Sequence, residues 1–315
     1  MSIYNKILVV ADINSEVQPA LERAMQLASK SQSTSHVLFF LSIYDFSYDM
    51  TSMLSVDERD AMRRGVIQQR EKWMREIAKE HVLDDIQFDV RVVWHNRPYE
   101  AIIAEVFAGG HDIVIKGTRK HDLLESVIFT PTDWHLLRKC PSPVLMVKNS
   151  AWPENASILA SVHVGSENHN HLGLNDAMVE QMNSLTDRLG AEPYLVNAYP
   201  VTPANITIEL PEFDPSTYTN AVRGHHLTAM KALRQKHGYD ESKTVVEQGL
   251  PEDVIPDVAQ RLNAAMVVVG TTGRTGLSAV FIGNTAEHII DNINCDVLAL
   301  KPNGYVSPLD PKTAV

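Results

Sequence analysis

Short runs of Val, Ile and Leu alternate along the chain with longer stretches in which apolar residues recur every three or four positions. The short runs have strand length and are apolar throughout instead of alternating in and out, the mark of strands buried on both faces of a parallel sheet. They predict strands over Lys6–Ala11, His36–Ile43, Gln87–Val93, Asp112–Lys116 and Pro143–Val147, then over Ser157–Val162, Pro193–Ala198, Lys243–Glu247, Met266–Val269 and Asp296–Leu300. The longer stretches predict helices over Glu16–Lys30, Asp57–Glu80 and Pro98–Phe107, and over Asp176–Leu189, Ser216–His237 and Pro251–Leu262.

The second half repeats the first. Laid over one another from Pro98 on Pro251 to Lys148 on Lys301, the halves need no gap, and Val114 falls on Val267, Gly117-Thr118 on Gly270-Thr271, Thr132 on Thr285 and His135 on His288. The pattern predicts an α/β protein of two tandem doubly wound domains, each a five-stranded, mainly parallel sheet flanked by helices, at 1–149 and 156–304. The Pro- and Asn-bearing stretch between them punctuates like a linker. Sheets of this kind take ligands at the carboxyl ends of their strands, where the strand order reverses.

Composition narrows the function. With 44% apolar and 21% charged residues over 315 positions, the chain has the make-up of a globular protein, not of a disordered, collagenous or coiled-coil one. Its 28 Lys and Arg against 39 Asp and Glu leave a net charge of -11, which opposes nucleic acid and anionic membranes as partners. Cys140 and Cys295 lie far apart without metal-ligand spacing, and read as buried thiols in a reducing compartment. The first residues carry no basic, apolar leader, and no run approaches the roughly 20 apolar residues of a membrane span. A cytoplasmic location is expected.

The most informative segment follows the fourth strand of the second half: Gly270-Thr271-Thr-Gly273, nine further residues, then Gly283-Asn284-Thr285. Gly270 and Gly273 permit positive φ and close approach of a ligand. Asn284 or Thr285 opens a helix whose free amides form an anion site. Neither GxxxxGK[ST] nor GxGxxG is present.

Together with the early Ile7-Leu8-Val9 strand ending in Asp12 and the Gly249-Leu250-Pro251 helix start, this order of motifs resembles the universal stress protein family. The resemblance implies a stress-induced cytoplasmic protein of doubly wound fold, with ATP or a related nucleotide held, in some members, by the glycine motif and the carboxylate after the first strand. It also implies pairing through the last strand of the sheet, here Val144–Lys148 with Val297–Lys301 as an intramolecular pseudo-dimer open to further self-association. The halves depart from that pattern in opposite ways. The first keeps Asp12 but has Lys120 at the second glycine and Thr130-Pro131 at the close; the second keeps Gly270, Gly273 and Gly283 but has His163 in place of the acid.

The expected ligand-binding residues are therefore Gly270, Thr271, Gly273, Gly283, Asn284, Thr285 and His163, and the expected partner is a small phosphorylated ligand. Thirteen histidines, among them His169, His171, His225 and His226, raise a zinc site built on His171 and His226 beside the plainer reading of hydrogen-bonded side chains. The long Pro200–Pro215 segment can wall a pocket with Ile206, Ile208, Leu210 and Phe213 against an amphipathic, nucleotide-linked lipid or sugar. No GxSxG, HExxH or other catalytic constellation occurs. The function expected is binding, with a weak ATP hydrolase, or a structural protein with vestigial sites, as the alternatives.

Overall fold

A computed structural model describes residues 4–30, 34–45, 54–121, 124–148, 151–165, 169–201, 214–271 and 284–312. Two compact units emerge: Met1–Asn149 together with Val306–Val315, and Ser150–Tyr305. The first runs β1 (Lys6–Val10), α1 (Pro19–Ser29), β2 (His36–Ile43), α2 (Val56–Ala78), β3 (Gln87–Trp94), α3 (Pro98–Gly109), β4 (Ile113–Gly117), β5 (Arg119–His121), β6 (Leu124–Ile128), α4 (Pro131–Lys139) and β7 (Val144–Val147). The second runs β8 (Ser157–Ser161), α5 (His169–Leu189), β9 (Glu192–Tyr199), α6 (Pro215–Lys236), β10 (Thr244–Gln248), α7 (Pro251–Arg261), β11 (Ala264–Gly270), α8 (Asn284–Asn292) and β12 (Asp296–Leu300).

In the first unit the strand order of the main sheet is β3-β2-β1-β4-β7, and in the second β10-β9-β8-β11-β12, with every neighbouring pair in these two orders parallel. Both are doubly wound, as the apolar runs predict. Ile7, Leu8, Val9, Val114 and Ile115 in one unit, and Ile158, Leu159, Val267 and Val268 in the other, are fully buried. Helices α1, α3 and α7 start on Pro19, Pro98 and Pro251, where a missing N–H costs nothing and φ is already helical. Ser55 and Glu58 close a capping box at the start of α2. At α6, Asp214 accepts from the amides of Ser216 and Thr217, and the Thr217 and Ser216 hydroxyls hold its carboxyl down at about 2.

Three features differ from the expectation. Helix α5 begins at His169, not Asp176, so His169 and His171 belong to a helix and not to a loop. The first unit carries an antiparallel hairpin, β5 with β6, after β4. Of the two free cysteines Cys140 is buried, while Cys295 is only half-buried. The C-terminal residues return to the first unit, where the buried Ser307 donates its hydroxyl to the Lys139 carbonyl at the end of α4 (2.7 Å). Among the described residues no helix is long and apolar enough to cross a membrane.

Candidate functional site

The strand order reverses between β1 and β4 in the first unit and between β8 and β11 in the second, which places a crevice at the carboxyl ends of those strands. The residue entering each crevice is held by the same device. In the first unit the Asp12 amide donates to Gln18 Oε1 (2.9 Å) while Gln18 Nε2 donates to the Asp12 carbonyl (2.8 Å). In the second, the His163 amide donates to Asn175 Oδ1 (3.0 Å) and Asn175 Nδ2 donates to the His163 carbonyl (3.0 Å). A buried side-chain amide thus pairs with the backbone as a neighbouring strand would, carrying the sheet pattern one residue past its end. Asp12 and the exposed His163 take equivalent places, the acid in one copy standing against an imidazole in the other.

Gly270 ends β11 and Thr271 follows it, and both make contacts that hold the fold together. A Cβ on Gly270 would lie 2.5 Å from Leu174 Cδ2 and 3.4 Å from Met178 Sδ, so glycine is required there for α5 to pack on the sheet. Its φ is not positive. The Thr271 amide and hydroxyl both donate to the Leu300 carbonyl (2.8 and 2.9 Å), and Thr118 does the same to Val147 in the first unit (2.9 and 3.0 Å). Thr271 therefore latches β11 to β12 and has no hydroxyl proton to offer a ligand. Gly273 and Gly283 lie outside the described residues. Asn284 and Thr285 form the first turn of α8.

At the equivalent helix start the first unit is already filled. Thr130 caps α4, and Asp133, fully buried, accepts from the Thr130 amide and hydroxyl through Oδ2 (2.6 and 2.8 Å). Lys116, at the end of β4, brings its ammonium to 2.6 Å from Asp133 Oδ1, off the line of a hydrogen bond, and donates to the Gly117 carbonyl. An internal carboxylate with its own counter-ion thus occupies the amino end of α4, where the dipole favours negative charge. The unbroken register puts Val269 and Ala286 at these two positions in the second unit.

His226 reaches the second crevice from α6 as a core residue. It is buried, with its ring over Gly165 in the loop after β8 and 5.7 Å from Tyr199. Asn197 Nδ2 donates to the Val162 carbonyl (3.0 Å), which turns Asn197 Oδ1 toward His226 Nδ1 (2.8 Å) and makes that nitrogen the protonated one. Burial, then His225, pushes the His226 pKa down, so the ring is neutral. His226 Nδ1 is bonded to Asn197, and among the described residues no three His, Cys, Asp or Glu side chains come together as metal ligands. The side chain of His171 lies outside the described residues, as do Ile206, Ile208, Leu210 and Phe213 of the long loop.

Two tandem doubly wound units, each with its own crevice, define a duplicated α/β fold. The sequence matches the universal stress protein family over residues 3–148 and 174–301, and the chain belongs to that family. It is 55% identical over 311 residues to Universal stress protein E of Escherichia coli (strain K12), covering 98% of each chain. It is 43% identical over 303 residues to the Universal stress protein E homolog of Haemophilus influenzae, covering 95% of this chain and 98% of that one. Among solved structures, a putative universal stress protein from Pseudomonas aeruginosa superposes with a TM-score of 0.69 at 29% identity, over 96% of this chain and 94% of that one. The second family match opens just before Asn175 and so leaves out β8 and His163, the place where the second copy has exchanged acid for imidazole.

Proposed function

We propose that this universal stress protein acts by binding, with a small phosphorylated, nucleotide-type ligand in the second unit at the carboxyl ends of β8 and β11. The observation that carries the reading is the contrast between the two helix starts. In the first unit Asp133 and Lys116 fill the amino end of α4, and Pro131 removes an amide. In the second, Ala286 and Val269 stand at those two positions, so the ion pair has no counterpart there; Glu287 is the acidic residue of the first turn of α8, and Asn284-Thr285 begin the helix, after Gly273 and Gly283 in sequence. The domains of the proposal are 1–149 and 156–304, and their outer strands β7 and β12 are proposed to cover one another as a built-in pseudo-dimer, since an open edge invites aggregation.

Calorimetry on the whole protein with ATP and with a nucleotide sugar tests the site. Gly273→Val and Gly283→Asp should abolish binding, the first by bulk and the second by a like charge against phosphate, whereas Lys120→Val and Thr130→Asp should leave it unchanged. Undiminished affinity in Gly283→Asp refutes the assignment. Binding of neither ligand to the parent protein favours vestigial sites, and steady phosphate release from ATP that is lost with Gly283→Asp favours a hydrolase.

A further inference from the structure

The amino ends of β1, β2 and β3 and the last turn of α3 enclose a cavity of about 330 Å³ in the first unit, at the edge of the sheet opposite the crevice. Lys6, His36, Asp89, Arg91, Glu105 and His111 line it. Both carboxylates already have partners: His36 Nε2 is 2.9 Å from Asp89 Oδ2, and Arg91 Nη1 donates to Glu105 Oε2 at 2.6 Å. Lys6 Nζ donates to the Gly109 carbonyl at 3.0 Å. His111 stands apart. Its side chain is only 2% exposed, both ring nitrogens are buried without a hydrogen-bond partner, and the nearest carboxylate oxygen, Glu105 Oε1, is 3.6 Å from Nε2.

The fold has no need of these groups. The register that aligns the two copies puts Val258 and Ala264 where the first has Glu105 and His111, and Val258 is fully buried in an ordinary apolar contact. Burying an imidazole with neither nitrogen satisfied is unfavourable. A molecule in the cavity would remove that cost. What the walls offer an anion beyond their existing bonds is the rest of the Lys6 ammonium and of the Arg91 guanidinium, with one N–H of the neutral His111 ring, against the second oxygens of Asp89 and Glu105, which are acceptors.

We infer that this cavity binds a small oxyanion, a phosphate or a carboxylate, between Lys6, Arg91 and His36, with His111 at its buried end. A metal ion is disfavoured by the fixed charges of Lys6 and Arg91 and by the lack of a three-ligand cluster among the described residues. The ligand site proposed above lies on the other edge of the sheet in the other unit, so the two readings stand or fall separately.

The site is coupled to pH. Burial pushes the His111 pKa down and Glu105 pulls it back up, while His36 and Lys6 oppose its charge; Asp89 and Arg91 complete the ring of charged groups, and Asp112 is held by the Asn5 and Lys6 amides. A bound anion favours the imidazolium form, so binding takes up a proton and tightens as pH falls, by up to about tenfold per pH unit for one proton.

The test uses the full chain carrying Gly283→Asp, which removes the proposed nucleotide site. The imidazole NMR resonances of His36 and His111 are followed during titration with inorganic phosphate and with succinate, at about pH 7.5 and about pH 6.5. Saturable shifts with either anion, several-fold tighter at the lower pH, are expected, and the anion that binds better names the source. Lys6→Gln and Arg91→Gln, both at solvent-reaching positions, should fold normally and weaken binding at least about fivefold. The inference is overturned if neither anion shifts His111 at about 10 mM, if both variants bind as the parent does, or if zinc shifts the rings where the anions do not.

Discussion

Removing the carboxylate of Asp133 should cost the first unit far more than removing its ion pair whole. Asp133 is fully buried and the Lys116 side chain is 15% exposed, so Asp133→Ala strands an ammonium at the end of β4 and also strips two bonds from the cap of α4. Breaking a buried pair from one side costs about 3–5 kcal/mol. In a unit of this size that is a fall of roughly 6–20 °C in Tm. The double change Lys116→Val with Asp133→Ala installs the residues that stand at Val269 and Ala286 in the second copy, where the same fold accepts them. Only the lost cap remains, about 1 kcal/mol. Urea and thermal unfolding, followed by the fluorescence of Trp73, Trp94 and Trp134 in this unit, give the two values and their coupling. A double variant as unstable as Asp133→Ala, or a single variant that loses under about 1 kcal/mol, would refute the reasoning.

Other changes give equally direct readings. Asn175→Ala removes both bonds to the His163 backbone and should cost about 2 kcal/mol, with faster amide hydrogen exchange confined to the residues after β8. Gly270→Ala should destabilise the second unit by about 1–3 kcal/mol through the clash with Leu174, and Leu174→Ala in the same chain should relieve part of it, read from urea midpoints. His226, buried and neutral, has its pKa below the 6.5 of the unfolded chain; its contribution is therefore whole above about pH 6.5 and is lost as pH falls through the lowered value. The urea midpoint of the second unit should drop on acidification across that range, and His226→Gln should flatten the drop.

The strands were legible because a strand buried on both faces has no polar alternation to blur it: His36–Ile43 and Asp296–Leu300 have the predicted ends. Helix ends were legible where proline or a capping box marks them, as at Pro98 and Pro251, and not at His169, where Asn and Gly near the start disguise the first turns of α5. The packing roles of Gly270 and Thr271 were not legible in the glycine motif. Gly270 is small because Leu174 sits against it, and that contact joins α5 to β11 across a long stretch of sequence. The amide clamps were out of reach for a related reason. Gln18 lies 6 residues from Asp12 and Asn175 lies 12 from His163, so the two copies share the bond pattern without sharing the spacing that a repeat search detects.

The divergence of the copies has a direction. At both edges of its sheet the first unit has charged or imidazole side chains where the second has apolar ones: Lys116 and Asp133 against Val269 and Ala286 at the carboxyl edge, Glu105 and His111 against Val258 and Ala264 at the amino edge. Apolar residues are the less costly occupants of such positions, because a buried ion needs a partner and a buried imidazole needs bonds. The first unit carries that cost twice, with opposite results. At the carboxyl edge Lys116 and Asp133 pair with one another at the amino end of α4. At the amino edge neither ring nitrogen of His111 has a hydrogen-bond partner, and Lys6 and Arg91 line the cavity beside it. A copy that had merely lost its function would be expected to relax toward apolar packing at both edges. The cost of the unsatisfied His111 is what the anion inferred above would offset.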